Sequence, residues 1–226
     1  MAHSIERVAI VGGAGKIARK LIPLLLHEGV EVVALARHDD QLSELGTMGA
    51  IPRRLDIEAA QPAAFAAAFG GCDAIVFSAG GGPDGNAERK QTVDLEGSLK
   101  SQEAAMLRGV HRFVQVSAIG VDNPPDPGLG EVWTAYVEAK RRADEALRRS
   151  SFAWTIIRPG TLTDAVGTGC VNLGPEVPHH TIPRIDVAKV IAGCLARPAT
   201  AGHQWEVVTG PVPVGEALDR AAAGRL

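Results

Sequence analysis

The sequence predicts an α/β protein built as a doubly wound parallel sheet. Three observations carry that reading. Short apolar runs rich in β-branched residues alternate with segments of helical periodicity along the whole chain, the pattern of repeated β-α-β units. The first apolar run stops at Gly12-Gly13-Ala14-Gly15, which opens a helical segment. The 226 residues carry no internal repeat, low-complexity tract or linker, which suits one domain with a full core. Right-handed crossovers leave few topologies for such units. Ligands then bind beyond the carboxyl ends of the strands.

The elements follow in order. Val8-Ala9-Ile10-Val11 reads as the first strand. Residues 15–28, with Ile17, Leu21, Leu24 and Leu25 at helical spacing, read as the first helix. Val30 to Leu35 is a buried strand, 40–46 a short helix, Ile51 to Leu55 a third strand and the alanine-rich 59–69 a third helix. Ala74 to Phe77 is a strand, and 86–108 a long helix ended by Gly109. Arg112 to Val116 is the fifth strand, 131–149 a highly charged helix and Trp154 to Ile157 the sixth strand. Residues 185–196 form a helix, Trp205 to Val208 a last strand and 214–223 a final helix. The Pro/Gly-rich 122–130 is a loop; 159–184 is another, with a short strand or hairpin near Cys170 to Leu173. The chain is expected to be one dinucleotide-binding domain over 1–226, with 159–226 contributing a small substrate-side cap.

Composition narrows the function. A formal net charge of −3 leaves no basic footprint for nucleic acid. No run of apolar residues is long enough for a membrane span. The short apolar stretch behind Glu6 and Arg7 is not expected to be a signal peptide. Cys72, Cys170 and Cys194 form no metal spacing and read as reduced, partly buried thiols. The expectation is a cytoplasmic protein without metal, acting on a small molecule, as a monomer or weak homodimer.

The glycine loop carries the strongest motif. From Gly13 it reads G-x-G-x-x-A, from Gly12 G-x-x-G-x-x-A, closing on Lys16-Ile17-Ala18. Glycine lets the backbone turn sharply and approach a pyrophosphate. The helix N-terminus offers N–H groups and a positive dipole end, and Ala18 permits close helix–strand packing. The position after a strand and before a helix supports a dinucleotide site over a glycine-rich turn. At the end of the second strand stands Arg37, where an NAD-selective site would place an acid. A guanidinium suits the 2′-phosphate of NADP, with Lys16 a second candidate cation, and NADP is favoured over NAD. The alternative makes Arg37 a solvated side chain and has Asp39 or Asp40 read the ribose. Asp56 is placed either to accept from an adenine amino group or to cap the helix that follows. Ser78-Ala79-Gly80 begins a run of small residues that lets a ligand pass closely.

Tyr136 is the single tyrosine, and Lys140 follows it by four, on the same helical face. With six lysines in the chain, chance places one there in about 3% of cases. A phenol can donate a proton to a carbonyl oxygen as hydride arrives, and a nearby ammonium would lower its pKa toward working pH. The same lysine can hold a nicotinamide ribose. Ser117, at the end of the fifth strand, could polarise the carbonyl. His179 and His180 read as a solvated loop, and Trp133 and Trp205 as core in preference to pocket walls.

With these pieces the chain resembles the atypical short-chain dehydrogenases/reductases. It is most similar to the small NmrA-like and flavin-reductase-like NAD(P)-binding proteins of Rossmann fold, over nearly its whole length. Tyr136-Val-Glu-Ala-Lys140-Arg-Arg-Ala-Asp144 and Trp154-Thr-Ile-Ile-Arg158-Pro159-Gly160-Thr-Leu162 are especially similar. The resemblance implies that Gly12, Gly13, Gly15, Lys16, Ile17 and Ala18 hold the pyrophosphate and Arg37 the 2′-phosphate. Asp56 and Ile57 would hold the adenine. Ser78, Ala79 and Gly80 would line the path to the nicotinamide, near which Pro159, Gly160 and Leu162 would lie. Ser117, Tyr136 and Lys140 would be the catalytic group of an NADP-dependent oxidoreductase acting on a small carbonyl or quinone-like substrate. Two alternatives share the cofactor: a flavin or quinone reductase that does not need Tyr136, and a regulatory module that senses NADP(H) without turnover. A nucleotide-sugar epimerase or dehydratase is disfavoured by the short C-terminal part.

Overall fold

The computed structural model describes residues 5–82 and 85–225. Its centre is a nine-stranded sheet. The strands are β1 (Arg7–Val11), β2 (Glu31–Ala36), β3 (Ile51–Arg54), β4 (Ala74–Phe77), β5 (Arg112–Val116), β6 (Ala153–Pro159), β8 (Cys170–Gly174), β10 (His203–Thr209) and β11 (Val212–Pro213). Their order is β11-β8-β10-β6-β5-β4-β1-β2-β3. From β3 to β10 every pairing is parallel, and β8 turns the far edge antiparallel. β7 (Thr161–Thr163) and β9 (Thr181–Pro183) form a separate two-stranded parallel sheet.

The period of two along each strand divides the core. Val8, Ile10, Val32, Ala34, Val76 and Val114 point to one face, under α1 (Ala18–His27), α7 (Arg184–Leu195) and α8 (Val214–Ala222). Ala9, Val11, Val33, Leu35, Ile75 and Phe113 point to the other, under α3 (Pro62–Ala68) and α5 (Gly97–Arg108). α6 (Glu131–Arg148) buries Leu147 in that second cluster. Each such side chain contributes roughly 1.5–3 kcal/mol of burial. α2 (Asp39–Thr47) anchors to the first face through Leu45.

Two differences from the expected pattern matter for function. The helix expected over 86–108 is three pieces: α4 (Ala87–Arg89), a π-helical segment over Lys90–Glu96, and α5. The expected cap over 159–226 divides. β8, β10 and β11 extend the central sheet, and α7 and α8 cover it. That leaves only β7, β9 and their loops outside the central sheet. The winding reverses between β1 and β4, and the crevice beyond their carboxyl ends is where such sheets bind ligands.

Candidate active site

A groove of about 350 Å³ opens at that reversal. Its floor is the glycine loop after β1 and the Ser78-Ala79-Gly80 turn after β4. Gly12 has φ +82°, and a Cβ there would lie 2.8 Å from Ala79 Cα, so the two loops touch backbone to backbone only because the residue is glycine. Gly12, Ala14 and Gly15 line the groove. Gly13 does not: its N–H donates to Leu35 O at 2.8 Å and ties the loop to β2. Lys16 turns away to pair with Asp164 at 2.9 Å. Ile17 and Ala18 are buried under α1 and pack in the core. Ser78 Oγ, on the groove wall, is buried without a hydrogen-bond partner. A cradle of glycine backbone at a helix N-terminus, with an unpartnered hydroxyl beside it, fits a dinucleotide phosphate.

The far end of the groove is cationic. Arg37 and His38 line it, joined by Arg37 Nε donating to His38 Nε2 at 3.0 Å. Arg37 Nη1 lies 3.5 Å from Glu58 and 3.9 Å from Asp56. Asp39, the alternative ribose reader, is paired with Arg54 instead. Asp56 does not cap α3, whose N-cap is Gln61. Its Oδ1 accepts from Glu58 N–H at 3.0 Å and shapes the turn that brings Asp56, Ile57 and Glu58 to the groove wall.

Tyr136, Lys140 and Ser117 converge beyond β4 and β5, but in an arrangement the sequence did not disclose. Lys140 is buried, and its Nζ pairs with Asp94 Oδ1 at 3.0 Å and donates to the carbonyls of Ala79 (3.3 Å) and Val116 (3.2 Å). Burial opposes its charge, yet Asp94 outweighs burial and holds the ammonium above its ordinary value. Tyr136 was expected to be pulled down by Lys140; it is instead pushed up. Burial raises the phenol, Lys140 pulls it down, and Asp94 and Asp144 raise it again. Ser117 is buried and its Oγ donates to Asp144 Oδ2 at 2.7 Å, so its proton is committed within the protein. Asp144 also accepts from Gln115 (2.6 Å) and from Arg158 Nε (2.9 Å), while Arg158 clasps Asp122 at 2.6 and 2.9 Å. Trp133, expected in the core, is 41% exposed with its ring 5.5 Å from that of Tyr136. Trp205 is buried as expected.

The remaining predicted residues lie on β6 and β7. Pro159 ends β6, and Gly160 N–H donates to Val207 O at 2.9 Å. A Cβ on Gly160 would stand 2.1 Å from His180 O, which explains the glycine by strand packing alone. Leu162 packs against the core. His179 and His180 are exposed. Cys72 and Cys194 are buried thiols pushed up by burial to about 11 and about 12. Sequence reasoning missed Asp94, Asp144, Arg158, Glu58 and His38. Asp144 was within reach, since it follows Lys140 by four on the same helical face.

A parallel sheet of this order, with a glycine cradle at its reversal and a Tyr-x-x-x-Lys helix beyond β5, defines an atypical short-chain dehydrogenase/reductase of the NmrA-like type. A sequence profile of the family described as NAD(P)H-binding matches residues 12–198, and the chain belongs to that family. It is 34% identical to the Bacillus subtilis protein named uncharacterized sugar epimerase YhfK, over 95% of this chain and 99% of that one. A solved structure from Bacillus halodurans, named provisionally as a NAD-dependent epimerase/dehydratase, superposes with TM-score 0.87 at 37% identity, covering 95% and 99% of the two chains. The oxidoreductase YlbE from Lactococcus lactis superposes with TM-score 0.84 at 27% identity, covering 94% and 95%.

Proposed function

We propose that this protein is an NADP(H)-dependent oxidoreductase that reduces a small carbonyl or quinone-like substrate, with Tyr136 as the proton donor. One observation carries the cofactor preference. The ribose end of the groove presents Arg37 and His38, while the nearby Asp39 is engaged by Arg54. A 2′-phosphate would find charge-assisted donors there, and a bare 2′-hydroxyl would find no dedicated carboxylate. The backbone of Gly12, Ala14 and Gly15, with Ser78 Oγ, would hold the pyrophosphate. The nicotinamide, when bound, supplies the hydride. Tyr136 Oη gives the proton that the substrate oxygen gains, since the proton of Ser117 is already donated to Asp144. Lys140, turned to the Ala79 and Val116 carbonyls, shapes the floor on which the nicotinamide ribose would rest.

The names of the relatives supply a second reading, epimerisation, in which the same hydride leaves and returns to one substrate. The small β7–β9 sheet offers little enclosure for a sugar nucleotide, and this favours net reduction. Calorimetric titration with NADPH, NADP, NADH and NAD tests the cofactor. The phosphorylated pair should bind at least about tenfold tighter, and Arg37→Ala should erase the difference. Equal binding of all four to the wild type would overturn it. On a carbonyl and quinone panel, Tyr136→Phe should lower kcat about 10²-fold or more. Full turnover by that variant would sink the acid role and favour flavin or quinone reduction. Epimerisation would show as product formed with no net loss of NADPH.

A further inference from the structure

Asp94 is a wholly buried carboxylate that neither the glycine loop nor the Tyr-x-x-x-Lys spacing explains. It comes from the π-helical segment Lys90–Glu96, which lies against α6. A π turn closes its hydrogen bonds one residue later than an α turn, so it shifts which side chains face a neighbouring helix, and it recurs at functional positions. Here the shift delivers a carboxylate to Lys140. One Asp94 oxygen meets Lys140 Nζ at 3.0 Å, and the other accepts from Gly81 N–H at 2.8 Å. Lys140 gives its other protons to the Ala79 and Val116 carbonyls. An ammonium has three protons, so all have partners on the π segment and the ends of β4 and β5. Its nitrogen stands 6.0 Å from the centroid of the Tyr136 ring.

We propose that Asp94 is a positioning residue: it fixes Lys140 against the ends of β4 and β5 and offsets its charge, so that Tyr136 is held as a protonated, proton-donating phenol. The catalytic meaning of this rests on the reading of Tyr136 as proton donor. The charged groups acting on the Tyr136 hydroxyl are Lys140 and Asp144 from its own helix and Asp94 from the π segment. Arg158, from β6, is bonded to Asp144, and Lys90, also on the π segment, reaches the Gly82 carbonyl. Two buried carboxylates thus oppose one ammonium around the phenol. The consequence is a substrate class. A site that keeps its phenol protonated at neutral pH serves an acceptor that gains a proton with its hydride, as a carbonyl or quinone does. It serves poorly an alcohol that must lose one.

Tyr136 is the single tyrosine of the chain, so phenolate absorbance near 295 nm reports it alone, with no cofactor or substrate present. Stopped-flow pH jumps, read before any unfolding and checked by circular dichroism, give its midpoint. The wild type should titrate above about 10, the reference value for tyrosine. Asp94→Asn should lower the midpoint by about one pH unit, because Lys140 then acts unopposed. The double variant Asp94→Asn with Lys140→Met removes both charges and should stay within about half a unit of the wild type. A wild-type midpoint below about 10, or an unmoved one in Asp94→Asn, overturns the proposal. If Asp94→Asn does not fold, the double variant decides, and a midpoint raised by more than about one unit refutes the offset. Turnover is measured separately. A folded protein that binds NADPH and reduces nothing would overturn the acid role of Tyr136 without touching the titration.

Discussion

Asp122 and Asp144 share the guanidinium of Arg158 and respond to it in opposite ways. Asp122 is half-exposed, and the Arg158 hydrogen bonds hold its carboxyl down at about 2, against a smaller opposing effect of burial. Asp144 is fully buried, and burial outweighs Arg158 and its other donors, so its carboxyl is raised. The signs give different pH dependences. A depressed carboxyl stabilises the fold above its unfolded value near 4 and loses that contribution as the pH falls through its folded value. A raised one lets the folded state take up the proton first, so Asp144 gains relative stability as the medium turns acid. The shift at Asp122 taken whole would be worth about 2.4 kcal/mol, and solvent screening of a half-exposed pair reduces this to about 1 kcal/mol. Asp122→Asn should therefore cost about 1 kcal/mol in urea unfolding at pH 7. The difference from wild type should vanish between pH 4 and pH 2, and a difference that persists at pH 2 would contradict the assignment. Residues at this scale were only partly legible in the sequence. Arg37, the glycines and the Tyr136–Lys140 pair announce themselves by type and spacing. Asp94 does not, because it lies 46 positions before its partner and nothing local marks a π turn. The bond from Ser117 to Asp144 is hidden for the same reason: spacing along a chain does not show which acceptor a buried hydroxyl finds.

At the scale of elements, legibility follows burial. Strands with a continuous apolar run, such as Ala74–Phe77 and Arg112–Val116, appear at the expected residues. β7 and β9, three residues each in a stretch rich in Thr and Pro, carry no period that a sequence reading could detect. They exist because β6 continues through Gly160 into a second pairing, with Thr161 N–H donating to His180 O at 3.1 Å. Gly160 is the hinge between the two sheets. An alanine there would set a Cβ against the His180 carbonyl and also 2.8 Å from Val208 Cγ1, and backbone cannot yield as a flexible side chain can. Gly160→Ala should cost about 1–3 kcal/mol. The loss should be local: amide exchange should quicken across Thr161–Thr163 and Thr181–Pro183 while β1 to β5 stay protected. Unchanged exchange in both short strands would show that the β7–β9 sheet does not depend on this contact. The glycine loop meets the same region, since Asp164, just past β7, bridges Lys16 and Arg184 at 2.9 and 2.8 Å.

At the scale of the whole molecule, the doubly wound order makes a ligand site a consequence of topology. β1 to β3 wind outward on one side and β4 to β10 on the other, so the loops after β1 and β4 must part, and the groove lies where they do. The alternation of strands and helices made this much readable before any coordinates. What the sequence could not show is that most of 159–226 returns to the central sheet, because β8, β10 and β11 are assigned by their partners and not by their own pattern. A groove built from the backbone of several elements couples binding to global stability. A ligand that binds only the folded state stabilises it by about 2.7 kcal/mol at one hundred times its Kd. For a chain of this length each kcal/mol moves Tm by about 2–4 °C. NADPH at that concentration should therefore raise Tm by about 5–10 °C in differential scanning calorimetry. NADH at the same concentration should raise it by distinctly less, because it lacks the phosphate that Arg37 and His38 would meet. Arg37→Ala should bring the NADPH shift down to that of NADH and leave the Tm of the unliganded protein nearly unchanged, since Arg37 is 44% exposed and its carboxylate contacts are long. Equal shifts from NADPH and NADH in the wild type would place the ribose reader elsewhere in the groove, with Asp56 and Glu58 as the carboxylates to substitute next.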